Sequence, residues 1–123
     1  MPKILIVDDA SLMRTIIKDV IVKRGFEIVG EAKDGYEAVE MFRMYSPDLV
    51  FLDITMPGLN GIEALRQIME INPRAKVIMC SALGQKQLVA EAIQIGASDF
   101  IVKPFKADRV LEAIQRVFNQ ATL

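Results

Sequence analysis

The sequence predicts an α/β protein whose doubly wound parallel sheet has five strands and is covered by five helices. Three observations support this: short apolar runs, longer amphipathic stretches that alternate with them, and turn residues between the two. The runs are brief and rich in β-branched residues, which is typical of strands buried on both faces of a parallel sheet. They lie at Ile4–Val7, Phe26–Val29, Leu49–Leu52, Val77–Cys80 and Phe100–Val102.

Between these runs, apolar residues recur at the spacing of a helix face. In chain order the faces comprise Leu12, Met13, Ile16, Ile17, Val20 and Ile21; Ala38, Val39 and Phe42; Ile62, Leu65, Ile68 and Met69; Leu88, Val89, Ala92 and Ile93; and Val110, Leu111, Ile114, Val117 and Phe118. Pro and Gly punctuation falls between the elements, as in Asp34-Gly35 and Asn72-Pro73. Strict alternation of strand and helix implies right-handed crossovers, with ligands bound beyond the carboxyl ends of the strands.

Composition narrows the class of protein. A chain of 123 residues fits one domain, residues 1–123, and 52% hydrophobic with 25% charged residues indicates a globular protein. The net charge is −1 without a basic cluster, which argues against nucleic-acid binding. The apolar runs are too short to cross a bilayer, and the N-terminus lacks a signal-peptide pattern. We therefore expect a cytoplasmic protein without membrane insertion.

The sequence contains no histidine and one cysteine, Cys80, which lies inside an apolar run. The absence of histidine excludes Ser-His-Asp and Cys-His catalysis and histidine-based zinc sites. Cys80 cannot form an internal disulfide, and its position is typical of a small buried apolar residue. A nucleophile in this chain is therefore a carboxylate, a hydroxyl, a lysine or Cys80.

Polar side chains stand where four of the predicted strands end. Asp8 and Asp9 follow the first strand, Asp53 the third, Ser81 the fourth and Lys103 the fifth. Each has an ordinary structural explanation: a helix cap for either Asp of the pair or for the serine, a turn for the third Asp, a solvated surface charge for the lysine. Together they predict one polar pocket, because the carboxyl ends of parallel strands meet at the same edge of the sheet.

Electrostatics indicates what such a pocket would hold. Clustered carboxylates repel one another and favour protonation unless a cation is present. Lys103 supplies one positive charge, and oxygen ligands suit Mg²⁺. A metal ion and a lysine facing one carboxylate are what phosphoryl transfer requires. We interpret Asp53, delivered at the tip of a buried strand, as a nucleophile that becomes an aspartyl phosphate.

Four segments, ILIVDD, PDLVFLDITMPGLNG, VIMCSA and DFIVKPF, resemble in order and spacing the receiver domain of bacterial response regulators. The resemblance covers essentially the whole chain and is most pronounced to stand-alone receivers of the chemotaxis type. It implies the flavodoxin-like strand order 2-1-3-4-5, one of the two common orders of doubly wound sheets. Because four motifs occur in register, the resemblance is more specific than any one of them alone.

The resemblance also implies roles for individual residues. Asp53 would accept the phosphoryl group, Asp9 would bind Mg²⁺ directly and Asp8 largely through water, and the backbone carbonyl of Thr55 would complete the metal ligands. Lys103 would pair with the phosphoryl group.

Further roles implied by the resemblance concern the switch. Pro104 would follow a cis peptide bond, and Ser81 would donate a hydrogen bond to a phosphoryl oxygen. Phe100 would occupy the aromatic switch position, where many members carry tyrosine; a plain core residue is the alternative for this position. A phenylalanine ring can swing inward but cannot form a hydrogen bond through a hydroxyl.

The function implied is that of a phosphorylation-activated switch and not of an enzyme with a separate substrate. A histidine kinase of the chemotaxis type would donate the phosphoryl group, a flagellar motor switch protein would receive the signal, and a phosphatase is a further expected partner. The chain would act as a monomer. Three alternatives remain: a single-domain phosphorelay intermediate, an aspartate-nucleophile phosphohydrolase, and a binding module that works without phosphorylation.

Overall fold

The computed structural model describes residues 2–122, with side-chain surroundings for residues 2–119. Both ends of the predicted domain, Met1 and Leu123, lie outside the described residues. The elements alternate without exception: β1 Lys3–Val7, α1 Ser11–Lys23, β2 Glu27–Ala32, α2 Gly35–Tyr45, β3 Leu49–Asp53, α3 Gly61–Ile71, β4 Val77–Ser81, α4 Lys86–Ile95, β5 Asp99–Val102 and α5 Ala107–Thr122. The predicted five strands and five helices are confirmed. No helix in the described part of the chain is long and apolar enough to cross a membrane.

All strands are parallel and follow the order β2-β1-β3-β4-β5, as the resemblance implies. The chain moves outward from β1 to β2 on one side and returns to place β3 on the other side. The switch in direction therefore falls between β1 and β3, where Val7 is paired with Leu52. In open α/β sheets the crevice beyond the strands at this point is the usual ligand site.

The sheet divides the core into two layers, because successive residues of a strand point to opposite faces. In β1, Leu5 and Val7 pack toward α2, α3 and α4, whereas Ile4 and Ile6 pack toward α1 and α5. Every residue of β3 and β4 is buried. Continuous burial explains why these central strands read as unbroken apolar runs.

The edge strand β2 differs from its predicted span, Phe26–Val29. It begins one residue later and continues to Ala32 through Gly30 and Glu31. An edge strand has only one neighbour and is partly exposed, so its second half does not need apolar residues. Its pairing with β1 also shifts register after Ile4, which a pattern of hydrophobicity does not reveal.

Two of the predicted helix faces are only partly covered. Leu12, placed on the face of α1, is 66% exposed. In α4, Leu88 and Ile93 are 37% and 43% exposed, and Ala92 is the fully buried residue of that helix. The spacing of apolar residues predicts a helix correctly, but the width of the buried stripe depends on how much of the sheet lies beneath it.

The start of α3 is pressed against the end of β3. Asn60 caps this helix through a hydrogen bond from Glu63 N to its Oδ1 (3.0 Å), and Gly61 N donates to Ile54 O at 2.8 Å. A Cβ atom on Gly61 would overlap the carbonyl oxygen of Asp53. The lack of a side chain at this position therefore allows α3 to fix the backbone of Asp53.

We expect Gly61→Ala to lower the free energy of unfolding by about 1–3 kcal/mol, because the new methyl group must displace backbone atoms of β3. Helix propensity alone would change stability in the opposite direction. Denaturant unfolding followed by circular dichroism measures the effect. Glu70→Ala, an exposed position on the same helix, is the matched control and should change stability by less than about 0.5 kcal/mol. Equal or increased stability of the glycine variant would contradict this packing.

Candidate functional site

The carboxylates of Asp8, Asp9 and Asp53 converge at the switch point of the sheet. One oxygen from each lies within 4.8 Å of the other two. Asp8 is fully buried and Asp53 is 5% exposed, whereas Asp9 lies at the surface. The convergence follows from topology: β1 and β3 are neighbours and parallel, so their carboxyl ends place these acids side by side.

Lys103 completes the cluster from the far side of β4. Its Nζ lies 2.7 Å from Asp8 Oδ2 and 3.3 Å from Asp53 Oδ1. The backbone holds it there, because Lys103 N donates to Ser81 O at 2.7 Å. The peptide bond to Pro104 is cis, as the resemblance implies. The predicted pocket of acids and lysine is therefore present, and Lys103 is not a solvated surface charge.

Asp8 is held by three contacts besides Lys103. Its Oδ1 accepts from Ala10 N at 2.9 Å, its backbone carbonyl accepts from Arg14 Nη1 at 2.6 Å, and its N donates to Ala32 O at 3.0 Å. The N-cap residue of α1 is Ala10, and no side chain caps this helix. The capping alternative for the Asp pair is therefore wrong.

The donor chemistry of the pocket fits a divalent cation. Three carboxylates face one ammonium group, which leaves an excess of negative charge. The buried Oδ2 of Asp8 makes no hydrogen bond of good geometry within the described residues, so its contact with Lys103 is an ion pair. Oxygen atoms with spare lone pairs and net negative charge are the environment that Mg²⁺ prefers.

Burial raises the pKa of Asp53 from 3.8 to about 6, and the charge of Asp8 adds to this rise, while Lys103 opposes it. Burial lowers the pKa of Lys103, but its close contact with Asp8 and the negative charges of Asp53 and Asp8 outweigh that effect and raise it. The lysine therefore stays protonated at neutral pH. Asp53 is largely ionised there, yet it is a stronger base than an ordinary aspartate.

Ser81 ends β4 and is buried, one residue beyond the pair Asp53–Cys80. Helix α4 begins at Lys86, so Ser81 does not cap it. Burial strongly raises the pKa of the Cys80 thiol, which makes this residue a poor nucleophile. The buried Ser81 hydroxyl therefore stands at the end of the strand next to the one that carries Asp53, and the Cys80 thiol is not reactive.

Phe100 is half-buried and borders two cavities. One, of about 360 Å³, is also lined by Ser81, Gln85 and Val89. The other, of about 630 Å³, lies against the start of α5. Phe100 also packs against the core layer of α2, α3 and α4, so both the switch position and the alternative of a plain core residue fit this surrounding.

Two residues with no predicted role contribute to the site. Arg14 binds the carbonyl of Asp8 and pairs with Glu31 (Nε to Oε1, 3.3 Å). Gln85 accepts from Ala82 N at 2.7 Å and donates to Thr55 Oγ1 at 2.6 Å. Neither stands at a strand end, and both act on residues that only the folded chain brings near. No local pattern in the sequence signals such contacts.

The fold and the acidic pocket together define a class of protein, and comparison with known proteins identifies the family. A family model described as the response regulator receiver domain matches residues 4–115. The chain belongs to this family.

The individual proteins and solved structures to which the chain is similar agree with this family assignment. The chain is 60% identical over 117 residues to the chemotaxis protein CheY of Bacillus subtilis (strain 168), a match that covers 95% of this chain and 98% of that protein. It is 56% identical to the chemotaxis protein CheY of Thermotoga maritima, covering 94% and 96%. A solved CheX-CheY-BeF3-Mg complex from Borrelia burgdorferi superposes with a TM-score of 0.91 at 42% identity, covering 94% of this chain and 88% of that chain.

Charge burial at Asp53 has a consequence for stability. Its native pKa of about 6 exceeds the ordinary 3.8, so between these values the folded state binds more protons than the unfolded state. The contribution of Asp53 to the free energy of unfolding therefore falls as pH rises through this window. We expect Asp53→Asn, in chelator, to be more stable than the unsubstituted chain by about 1–3 kcal/mol above pH 7 and by little below pH 4.

Denaturant unfolding at several pH values measures this difference. Asp19→Asn, an exposed aspartate on α1, is the control and should show no comparable pH-dependent gain. A gain for the Asp53 variant that is absent at neutral pH, or that grows as pH falls, would contradict the assigned burial.

Proposed function

We propose that this chain, as a single receiver domain of residues 1–123, is a phosphorylation-activated switch of a chemotaxis two-component system. A histidine kinase donates a phosphoryl group to Asp53, and the chain passes the signal on as a change of shape. The observation that carries the proposal is the position of Lys103 Nζ, within 3.3 Å of Asp53 and 2.7 Å of Asp8 in a buried acidic pocket. A pocket with three carboxylates and a lysine suits the transfer of a charged group and not the binding of an apolar ligand.

In the proposed reaction, a carboxylate oxygen of Asp53 attacks phosphorus as the bond from phosphorus to the donor's histidine nitrogen breaks. The imidazole leaves with the bonding electron pair. The pKa of about 6 supports this role, because Asp53 is ionised at neutral pH but more basic than usual. Lys103 is placed to neutralise charge on the transferring oxygens. The self-catalysed transfer and its hydrolysis are the only reactions we assign to the chain.

Asp8, Asp9, Asp53 and the backbone carbonyl of Thr55 are the residues that would hold Mg²⁺. When bound, the ion supplies charge neutralisation at the transferring phosphoryl group. The protein's own contribution is to keep two of the carboxylates buried and aligned. Helix α3 and Gly61 fix the backbone of Asp53, and Arg14 fixes that of Asp8.

The switch follows from the hydrogen bonds that new phosphoryl oxygens attract. The hydroxyl of Ser81 and the ammonium of Lys103 would move toward them, and the loop after β4 would follow. This movement would let Phe100 turn into the cavity of about 360 Å³ that it shares with Ser81. A shift from 1:99 to 99:1 needs about 5.5 kcal/mol, and two charge-assisted hydrogen bonds of roughly 1.5–3 kcal/mol each approach that amount.

The expected partners are a histidine kinase of the chemotaxis type and a flagellar motor switch protein. The names of the CheY relatives support the chemotaxis assignment. One CheY neighbour is in a complex with CheX, BeF3 and Mg²⁺, which supports a further partner that acts on the phosphorylated form, expected to be a phosphatase. We place the chain in the cytoplasm as a monomer.

Incubation with acetyl phosphate and Mg²⁺ tests the proposal. Intact-mass measurement should show one phosphoryl group on the unsubstituted chain, labile to hydroxylamine as expected of an acyl phosphate. Asp53→Asn should show no uptake because the nucleophile is gone, and removal of Mg²⁺ by a chelator should strongly slow uptake. Asp19→Asn, which lies on the surface of α1, is the control and should be phosphorylated normally.

Normal uptake by the Asp53 variant would overturn the assignment of the phosphoacceptor. No uptake by the unsubstituted chain would favour a binding module that works without phosphorylation. Repeated turnover of small phosphate esters, well above the protein concentration, would favour a phosphohydrolase.

A further inference from the structure

The side chain of Gln85 connects two loops that flank the acid pocket. Its Oε1 accepts from Ala82 N at 2.7 Å, and its Nε2 donates to Thr55 Oγ1 at 2.6 Å. Thr55 stands two residues after Asp53, in the loop between β3 and α3. Ala82 directly follows Ser81, in the loop between β4 and α4. One amide group therefore links the backbone beside the hydroxyl to the side chain beside the phosphoacceptor.

We propose that Gln85 is a positioning residue that clasps these two loops and sets how much free energy the β4–α4 loop needs to move. The inference rests on the proposed function, since it concerns the loop that carries Ser81. We call the pair of hydrogen bonds from Gln85 to Ala82 and to Thr55 the Gln85 clasp.

The local backbone explains why this side chain is available for the clasp. Gln85 is the N-cap residue of α4, with φ −104° and ψ 30°, and no side chain caps that helix. An N-cap side chain ordinarily accepts from the first turn of its own helix. Here the amide instead turns back to Ala82, three residues earlier, and across to Thr55, thirty residues earlier. Its hydrogen-bonding capacity goes to the loops and not to the helix.

The clasp also adjoins the space that the switch would use. Gln85 lines the cavity of about 360 Å³ together with Ser81 and Phe100. A shift of the β4–α4 loop relative to the β3–α3 loop therefore changes both the distance from Gln85 to Thr55 and the walls of this cavity. Because hydrogen bonds weaken steeply with distance and angle, such a shift loses the bond from Gln85 to Thr55, whereas the bond to Ala82 lies within the moving loop.

The clasp therefore opposes loop movement, and its removal should make the rearranged state easier to reach. Beryllofluoride with Mg²⁺ is a suitable probe, because a CheY neighbour binds both. We expect Gln85→Met, which keeps the length of the side chain and loses its hydrogen bonds, to bind beryllofluoride about three- to fivefold more tightly. This is the low end of the energy range for hydrogen bonds, as expected near the surface.

The experiment is a titration of beryllofluoride at saturating Mg²⁺, followed by NMR of the backbone amide of Ala82. Gln87→Met, an exposed position in the first turn of α4, is the matched control and should bind like the unsubstituted chain. Thr55→Val removes the arm of the clasp that joins the two loops and should tighten binding by a similar factor. It also serves as the second variant if Gln85→Met folds poorly.

A double-mutant cycle separates the clasp from a general effect on folding. If the two residues act through their shared hydrogen bond, Thr55→Val should add nothing in the Gln85→Met background. Unchanged or weaker binding by Gln85→Met, or fully additive effects of the two substitutions, would overturn the proposal. Failure of the unsubstituted chain to bind beryllofluoride or to accept a phosphoryl group would instead overturn the proposed function.

Discussion

The burial of negative charge beside one lysine is the constraint on which the rest of the structure depends. Asp8 and Asp53 are almost completely removed from water, and Lys103 is the ammonium group that contacts both. Burying a charge costs several kcal/mol unless a partner compensates it. The position of β5 and the backbone hydrogen bond from Lys103 to Ser81 therefore both serve the same pocket. The surplus of carboxylate over ammonium leaves that pocket suited to a cation and an incoming phosphoryl group.

The sheet makes this arrangement possible at low cost. Residues far apart in the sequence meet because parallel strands end at one edge, and the reversal of strand order opens a crevice there. The central strands are buried on both faces, so their ends are fixed by the core and not by the loops. The loops that follow are not part of the sheet, and the side chain of Gln85 joins one of them to the other through its hydrogen bond to Thr55. A rigid platform with a restrained loop is a physical basis for a two-state switch.

Local signals predict the strands, the helices and the polar residues at the strand ends, whereas the strand order and the roles of individual site residues follow from the family resemblance. Buried strands require apolar runs, and polar residues at the ends of such runs indicate a polar site at that edge of the sheet. Sequence reasoning fails where the cause is not local. The continuation of β2 through Glu31 depends on its position at the edge of the sheet. The exposure of Leu12 arises because no other element in the described part of the chain packs over that part of α1. The role of Gln85 cannot be predicted from a local sequence pattern, because its partner Thr55 is close to it only in the folded chain.

The free energy of unfolding of Lys103→Met, with and without Mg²⁺, tests the central claim most directly. The side chain of Lys103 is 22% exposed, so the loss expected in chelator is about 1–3 kcal/mol, below that of a fully buried pair. Because the ammonium also competes for the same oxygens, saturating Mg²⁺ should stabilise the variant more than it stabilises the unsubstituted chain. No loss in chelator, together with an equal response to Mg²⁺, would show that the lysine and the acids do not form one electrostatic unit.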